Sequence, residues 1–205
     1  MIFEPPKIIT DVSEADEPIL KILSSKRAID KFLKYDDTNT DETALITKMA
    51  IAARECCEKF LNISLAEKQI QVHFDAESVK RRNYRIELPY GPIKTIDEVI
   101  WIDSEGTTDD IDLNDGYNLF GNLFKEIQFF KISGTFISGI SKCDYRVKYT
   151  VGYGIEDYTP NIPSAIETAM MKIVYGWYHD RNNWLPVLTS DAENILLPFR
   201  RRAWF

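Results

Sequence analysis

The sequence predicts an α+β fold in which a helical core is interrupted by an inserted antiparallel β region. Two helix-period segments frame the chain, with apolar residues recurring three and four apart near 43–61 and 163–181. Between about 68 and 152 the pattern changes to alternating and β-branched runs, which suit half-buried strands. Clusters of Gly, Pro, Asp and Asn punctuate that stretch, as short antiparallel connections require.

Residues 1–18 carry three prolines and five acids without sustained periodicity. Because the proline ring blocks helix and ladder alike, this predicts an extended N-terminal arm that takes its order from something else. Ile19, Leu20, Leu23, Ile29 and Phe32 fit a modestly amphipathic helix near 19–34, and the polar run Asp36 to Asp41 reads as a loop leading into the next helix. That helix, at 43–61, is the clearest: Ile46, Met49, Ala50, Ala53, Cys57, Phe60 and Leu61 share one face. Asp41 and Glu42 precede it, where the helix dipole favours negative charge.

Gln69 to Phe74, Tyr84 to Leu88 and Tyr145 to Val151 read as strands. Pro89-Tyr90-Gly91-Pro92 is a breaker cluster, and Asp103-Ser104-Glu105-Gly106 is a turn after a strand ending at Trp101-Ile102. Lys80-Arg81-Arg82 reads as an exposed loop between strands. Ile162-Pro163 opens the last strong helix, near 163–181, with Ile166, Ala169, Met170, Ile173 and Trp177 on its buried face. The stretch 192–205 mixes apolar and cationic residues at a terminus and reads as a C-terminal arm. The organisation is then an arm at 1–18, a single domain at 19–191 holding the β-rich insertion, and an arm at 192–205.

With 205 residues, 44% hydrophobic and 28% charged, the chain has the composition of a globular protein and not of a disordered or fibrous one. The net charge of −7 opposes general nucleic-acid binding unless cations gather on one face. Three cysteines, Cys56, Cys57 and Cys143, with two of them adjacent, predict reduced thiols and not a disulfide framework. The N-terminal residues lack a basic region followed by an apolar stretch, and no run approaches the roughly 18 apolar residues of a membrane span. A soluble chain without an export signal is expected.

Catalytic, cofactor and metal signatures are not found. His73 lies in a strand pattern and His179 near a helix end, neither with a serine or cysteine close in sequence. Gly134 to Lys142 mimics a phosphate loop but lacks Gly-Lys-Ser/Thr and a following helix, so it reads as a strand-flanking turn. Asp110 to Gly116 resembles a calcium loop, but its glycine falls one place late and the twelfth position is Gly121. A hydrolase built from Asp109, Asp110, Asp112 and His73 is a rival reading without a supporting motif.

Two basic clusters remain: Lys80-Arg81-Arg82 with Arg85, and Arg200-Arg201-Arg202 beside Trp204 and Phe205. Interleaved cations and aromatics can hold single-stranded nucleic acid, which makes a nucleic-acid-binding module the alternative function. For the terminal cluster a protein partner is the better expectation, because arginine and tryptophan are enriched at interface hot spots.

Five blocks, taken in order over residues 18 to 202, resemble the head–tail connector (adaptor or head-completion) proteins of long-tailed phages. They are Leu33 to Asp37 leading through Asp41 to Ile46 and on to Ala52 to Phe60; Ile86 to Ile93 continuing to Val99 to Gly106; Val147 to Gly154; Ile162 to Ile166 running to Trp177 to Arg181; and Ile195 to Arg200. The second block is similar to the family's strand, Leu-Pro-x-x-Pro, strand, Asp-x-x-Gly signature. Leu61-Asn62 stands where the family usually has Thr-Gly, and the proline-rich acidic arm is additional.

The resemblance implies a structural virion protein, without enzymatic activity or cofactor, that forms a ring of about twelve copies below the portal and continues the DNA channel toward the tail. It implies contacts with the portal, with the next tail-side ring and with further copies of itself, while packaged DNA passes without specific binding. Such a ring needs two different side surfaces that close by rotation, and an acidic lumen would let DNA slide. Leu196, Leu197, Phe199, Arg200, Arg201, Arg202, Trp204 and Phe205 are the expected portal-binding residues. The loops Asp103 to Gly116 and Phe120 to Lys125 are candidates to face the next tail component.

Overall fold

A computed structural model describes residues 7–10, 40–102, 106–113, 116–122, 124–129, 144–153, 155–156, 159–180 and 187–201. The helix expected near 19–34, the turn at 103–105, the Gly134 to Lys142 turn and Cys143 lie outside these residues. The described chain is α+β, as expected, and forms two compact units. One is built around Glu67–Gly152 and the other from segments within Val12–Ala66 and Tyr153–Ala203.

The β unit, expected as an inserted antiparallel region, has two sheets. The larger contains β1 (Lys7–Thr10), β2 (Lys68–Asp75), β8 (Asp144–Val151), β4 (Ile93–Ile102) and β5 (Thr108–Asp110), in the order β1-β2-β8-β4-β5 and antiparallel throughout. The smaller contains β3 (Arg85–Glu87), β7 (Glu126–Phe129) and β6 (Tyr117–Phe120), in the order β3-β7-β6. Alternation explains the layering. Ile70, Val72 and Phe74 of β2 and Val147, Tyr149 and Val151 of β8 turn inward, and Ile86, Ile127 and Phe129 of the small sheet join the same core. One face of a lone sheet would leave that apolar surface in water, so a second layer covers it.

Tyr149 is fully buried, and its hydroxyl donates to the Pro89 carbonyl at 3.1 Å. Gly116 is required by close approach, since a Cβ there would stand 2.1 Å from Cγ2 of Ile111. Two expectations are corrected in this unit. Residues 7–10 of the extended arm, where proline was expected to block a ladder, are an edge strand, with Lys7 opposite Gln71 and Ile8 opposite Ile70. Beyond Pro6 the Ile8-Ile9-Thr10 run is free of proline and β-branched, so it can complete a ladder. Lys80-Arg81 is no loop but the end of a short helix, α2 (Ala76–Arg81). Asp75 caps it, accepting the Ser78 N–H at 2.9 Å and the Glu77 N–H at 3.3 Å.

The helical unit rests on α1 (Thr40–Leu61) and α3 (Ser164–His179), which pack together, and on α4 (Ser190–Leu196), which packs on α3. A small hairpin of β9 (Ile155–Glu156) and β10 (Thr159–Pro160) precedes α3. Of the expected α1 face, Ile46, Met49, Ala50, Ala53, Cys57 and Leu61 are buried and Phe60 is half-buried. Asp41 and Glu42 stand inside the first turn of α1 and not before it, and Glu42 accepts a hydrogen bond from the Tyr178 hydroxyl on α3. Past α1 the Glu58 carboxylate ties down the exit loop, accepting the Leu65 N–H at 2.7 Å, the Ala66 N–H at 3.2 Å and Arg54 at 2.7 Å. The two places where the chain leaves and re-enters this unit are adjacent, because the Tyr153 N–H donates to the Leu65 carbonyl at 3.2 Å.

Candidate functional site

Two surface regions carry the residues singled out by sequence. The first is the C-terminal segment of the helical unit. Thr189 caps α4 by accepting the Ala192 N–H at 3.3 Å, and Ala192 and Leu196 turn into the core with no exposure. A 3-10 turn, Leu197–Phe199, follows with proline inside it. The segment then runs against the end of α1: the Arg201 N–H donates to the Leu61 carbonyl at 2.9 Å, and Nδ2 of Asn62 donates to the Arg201 carbonyl at 3.0 Å. This clasp satisfies a carbonyl that a helix C-terminus leaves without an intrahelical partner. Asn62 adopts the left-handed conformation, φ 55°, that commonly ends a helix and that asparagine tolerates. Arg200 lies over the Phe60 ring, 4.8 Å from its centroid.

The expected arm is therefore docked from its start to Arg201, and its candidate residues separate into three groups. Leu196 is buried within its own unit and has no surface to offer. Leu197 and Phe199 are 58% and 36% exposed, on the outer side of the same turn. Arg200 is exposed and Arg201 partly so, while Arg202, Trp204 and Phe205 lie outside the described residues. The signal for this helix stood in the sequence as Thr189, Ala192 and Leu196, a cap followed by apolar positions four apart.

The second region belongs to the β unit. Lys80, Arg81 and Arg82 are exposed at the end of α2, and Arg85 follows on β3. Arg85 pairs with Glu126 at 3.2 Å and lies 5.1 Å from the centroid of the exposed Phe120 ring. Arg81 reaches Glu77 only at 3.8 Å, with both side chains largely in water, so that pair contributes little. Across the large sheet, Asp75 stands opposite Asp144, Asp144 opposite Ile102, and Ile102 opposite Thr108. β5 is thus the far edge of the sheet at the same end as α2, and all three of its residues, Thr108, Asp109 and Asp110, are exposed.

No catalytic constellation forms from the residues considered. His73 and Asp110 share a row through Arg146 and Ile100 but lie three strands apart, about 14 Å at normal strand spacing. The ring of His73 contacts the Gln71 amide at 2.8 Å, and the ring of His179 lies tilted by 59° against Tyr175, 4.2 Å between centroids. Burial pushes the Cys57 thiol up to about 12, with Cys56 and Glu58 adding to it, and burial also raises Cys56. Neither thiol has the lowered pKa of a nucleophile. Among the described residues no group of three or more His, Cys, Asp or Glu side chains is arranged to hold a metal ion, and no helix is long and apolar enough to cross a membrane.

No family model matches the chain, and no curated protein sequence matches it. Solved structures do. A chain of the virion of a native gene transfer agent particle superposes with a TM-score of 0.72 at 15% identity, covering 98% of each chain. A chain of the neck of the empty particle, computed with C6 symmetry, gives 0.68 at 14% identity over 98% of each chain. A chain of the neck of the native particle, computed with C12 symmetry, gives 0.67 at 14% identity over 98% of each. From end to end, then, this chain has the fold of chains that build the neck and virion of gene transfer agent particles, consistent with its resemblance to head–tail connectors.

Proposed function

We propose that the chain is a structural subunit of a phage-like particle, forming a ring of about twelve copies at the junction of head and tail, below the portal. The observation that carries this reading is the end-to-end fold match to neck and virion chains, one of them in a neck computed with C12 symmetry. The role is structural and not enzymatic, and the chain works in the virion after synthesis in the bacterial cytoplasm. Its partners are the portal protein, a tail-side ring and further copies of itself. The net charge of −7 suits a channel through which DNA passes without sticking.

The portal contact is assigned to Leu197, Phe199, Arg200 and Arg201 with the following Arg202, Trp204 and Phe205, and Leu196 is removed from the set because it is buried. Exposed apolar side chains beside arginines match the composition of interface hot spots. Negative-stain microscopy with mass measurement, on the protein alone and mixed with its portal protein, tests both statements. Rings, and portal binding that Leu197→Ser with Phe199→Ser weakens, are the expected results. A monomer indifferent to the portal would overturn the reading. Point substitutions serve better than truncation at 192, which would also remove Ala192 and Leu196 from the core.

A further inference from the structure

We propose that the acidic edge strand β5 of one copy docks on the basic end of α2 of the next copy, making one side-to-side contact of the assembly. This inference rests on the ring reading and names the surfaces that would close it. A ring requires each copy to present two different, mutually complementary sides, because a patch that fits itself makes two-fold dimers. The β unit has such a pair. Asp109 and Asp110 lie on an exposed sheet edge, in no ion pair among the described residues. Among the described residues Lys80 and Arg82 are exposed without a carboxylate partner, and the one carboxylate within ion-pair distance of Arg81 is Glu77 at 3.8 Å.

Position and sign then work together. The row Asp75, Asp144, Ile102, Thr108 places the start of α2 and the start of β5 at one end of the sheet, with Asp75 and Thr108 about 14 Å apart across three strand spacings. Copies related by rotation about a common axis keep the same height along that axis, so opposite charges at one end of the sheet can meet when the strands run along the axis. Charge also decides which edges pair. Two copies of β5 repel each other, which suppresses edge-to-edge pairing of identical strands, while a cationic surface attracts the same edge. The acids thus disfavour the two-fold contact and favour the head-to-tail one.

Sedimentation equilibrium of the full chain tests this with three variants. One reverses the edge (Asp109→Lys, Asp110→Lys), one reverses the helix end (Lys80→Glu, Arg81→Glu, Arg82→Glu), and one carries all five changes. Every changed side chain is exposed, and circular dichroism checks that the fold is retained. The wild type is expected to self-associate, and to do so less at about 1 M salt, where charges are screened beyond about 3 Å. Each partial reversal should weaken association at least about tenfold. Mixing the two partial reversals, or using the five-change chain, should restore it.

Wild-type association that the partial reversals leave unchanged, or losses that neither the mixture nor the five-change chain repairs, would overturn the proposal while leaving the ring reading standing. A wild type that stays monomeric at every concentration would overturn the proposed contact, and the ring reading falls with it if the protein is also indifferent to its portal protein. Salt-sensitive binding of duplex DNA, lost in the helix-end reversal while self-association is unaffected, would assign the basic end to nucleic acid instead.

Discussion

Neighbouring leucines at the C-terminal segment have opposite fates. Leu196 has no exposure and Leu197 is 58% exposed, although both stand in one apolar run, Ile195-Leu196-Leu197. Leu196→Ala removes buried methyl groups and leaves a cavity, so thermal or denaturant unfolding should show a loss of about 2–5 kcal/mol. Leu197→Ala should leave stability within about 0.5 kcal/mol and weaken portal binding instead. The reverse pattern would assign the two side chains the wrong way round. The apolar–basic character of this segment was legible in the sequence. Which apolar residues face inward was written only in the short pattern of Thr189, Ala192 and Leu196, while the docking of Arg201 depends on Leu61 and Asn62 from far along the chain.

Among elements, α1 and α3 were readable because a helix buried on one side writes its period into the sequence, and every apolar position assigned to α3 is buried. α2 and β1 were not. A six-residue helix is too short to show a period, and its signal was the cap Asp75 followed by Ser78. β1 pairs with a strand some sixty residues away, and nothing local announces such a partner. The second sheet was missed because strands of three or four residues carry too little alternation to assign them to a layer. The end of β2 also makes a pH prediction. Asp75 and Asp144 face each other across the ladder, and like charges so placed are unfavourable. Burial pushes Asp75 up, but the Ser78 hydroxyl and the Ser78 and Glu77 N–H groups outweigh it and hold its carboxyl below the usual range. Asp144 is raised by burial and then by Asp75, with His73 opposing. A carboxyl raised on folding destabilises the native state at neutral pH, and the penalty fades as pH falls through its folded value. Asp144→Asn should therefore raise the melting temperature near neutral pH, by about 0.5 kcal/mol in stability for a group this exposed. The gain should vanish once the solution is acidic enough to protonate the wild-type carboxyl. An equal gain at both pH values would show that charge is not its source.

For the whole molecule, the likeness to the neck and virion chains is one of fold, since only 14–15% identity accompanies alignment over 98% of each chain. Packing tolerates wide exchange of apolar residues provided volume and pattern are kept, so a fold can persist after its motifs have blurred. The adjoining exit and re-entry points of the helical unit have a different consequence. With Tyr153 hydrogen-bonded to Leu65, and Lys68 opposite Val151 where the strands begin and end, the stretch between them is a cassette whose two ends meet. Such a cassette can be lengthened, swapped for another or cut out without opening a gap in its host, because domain insertion is tolerated where chain ends lie close together. Joining Ala66 to Tyr153 through a short glycine linker should leave a helical protein that still unfolds cooperatively by circular dichroism, whereas a molten product would show that the host depends on its insert. Exchanging that one continuous piece of gene would thus replace every strand of the β unit but β1, while the helices that hold the C-terminal segment stay as they are.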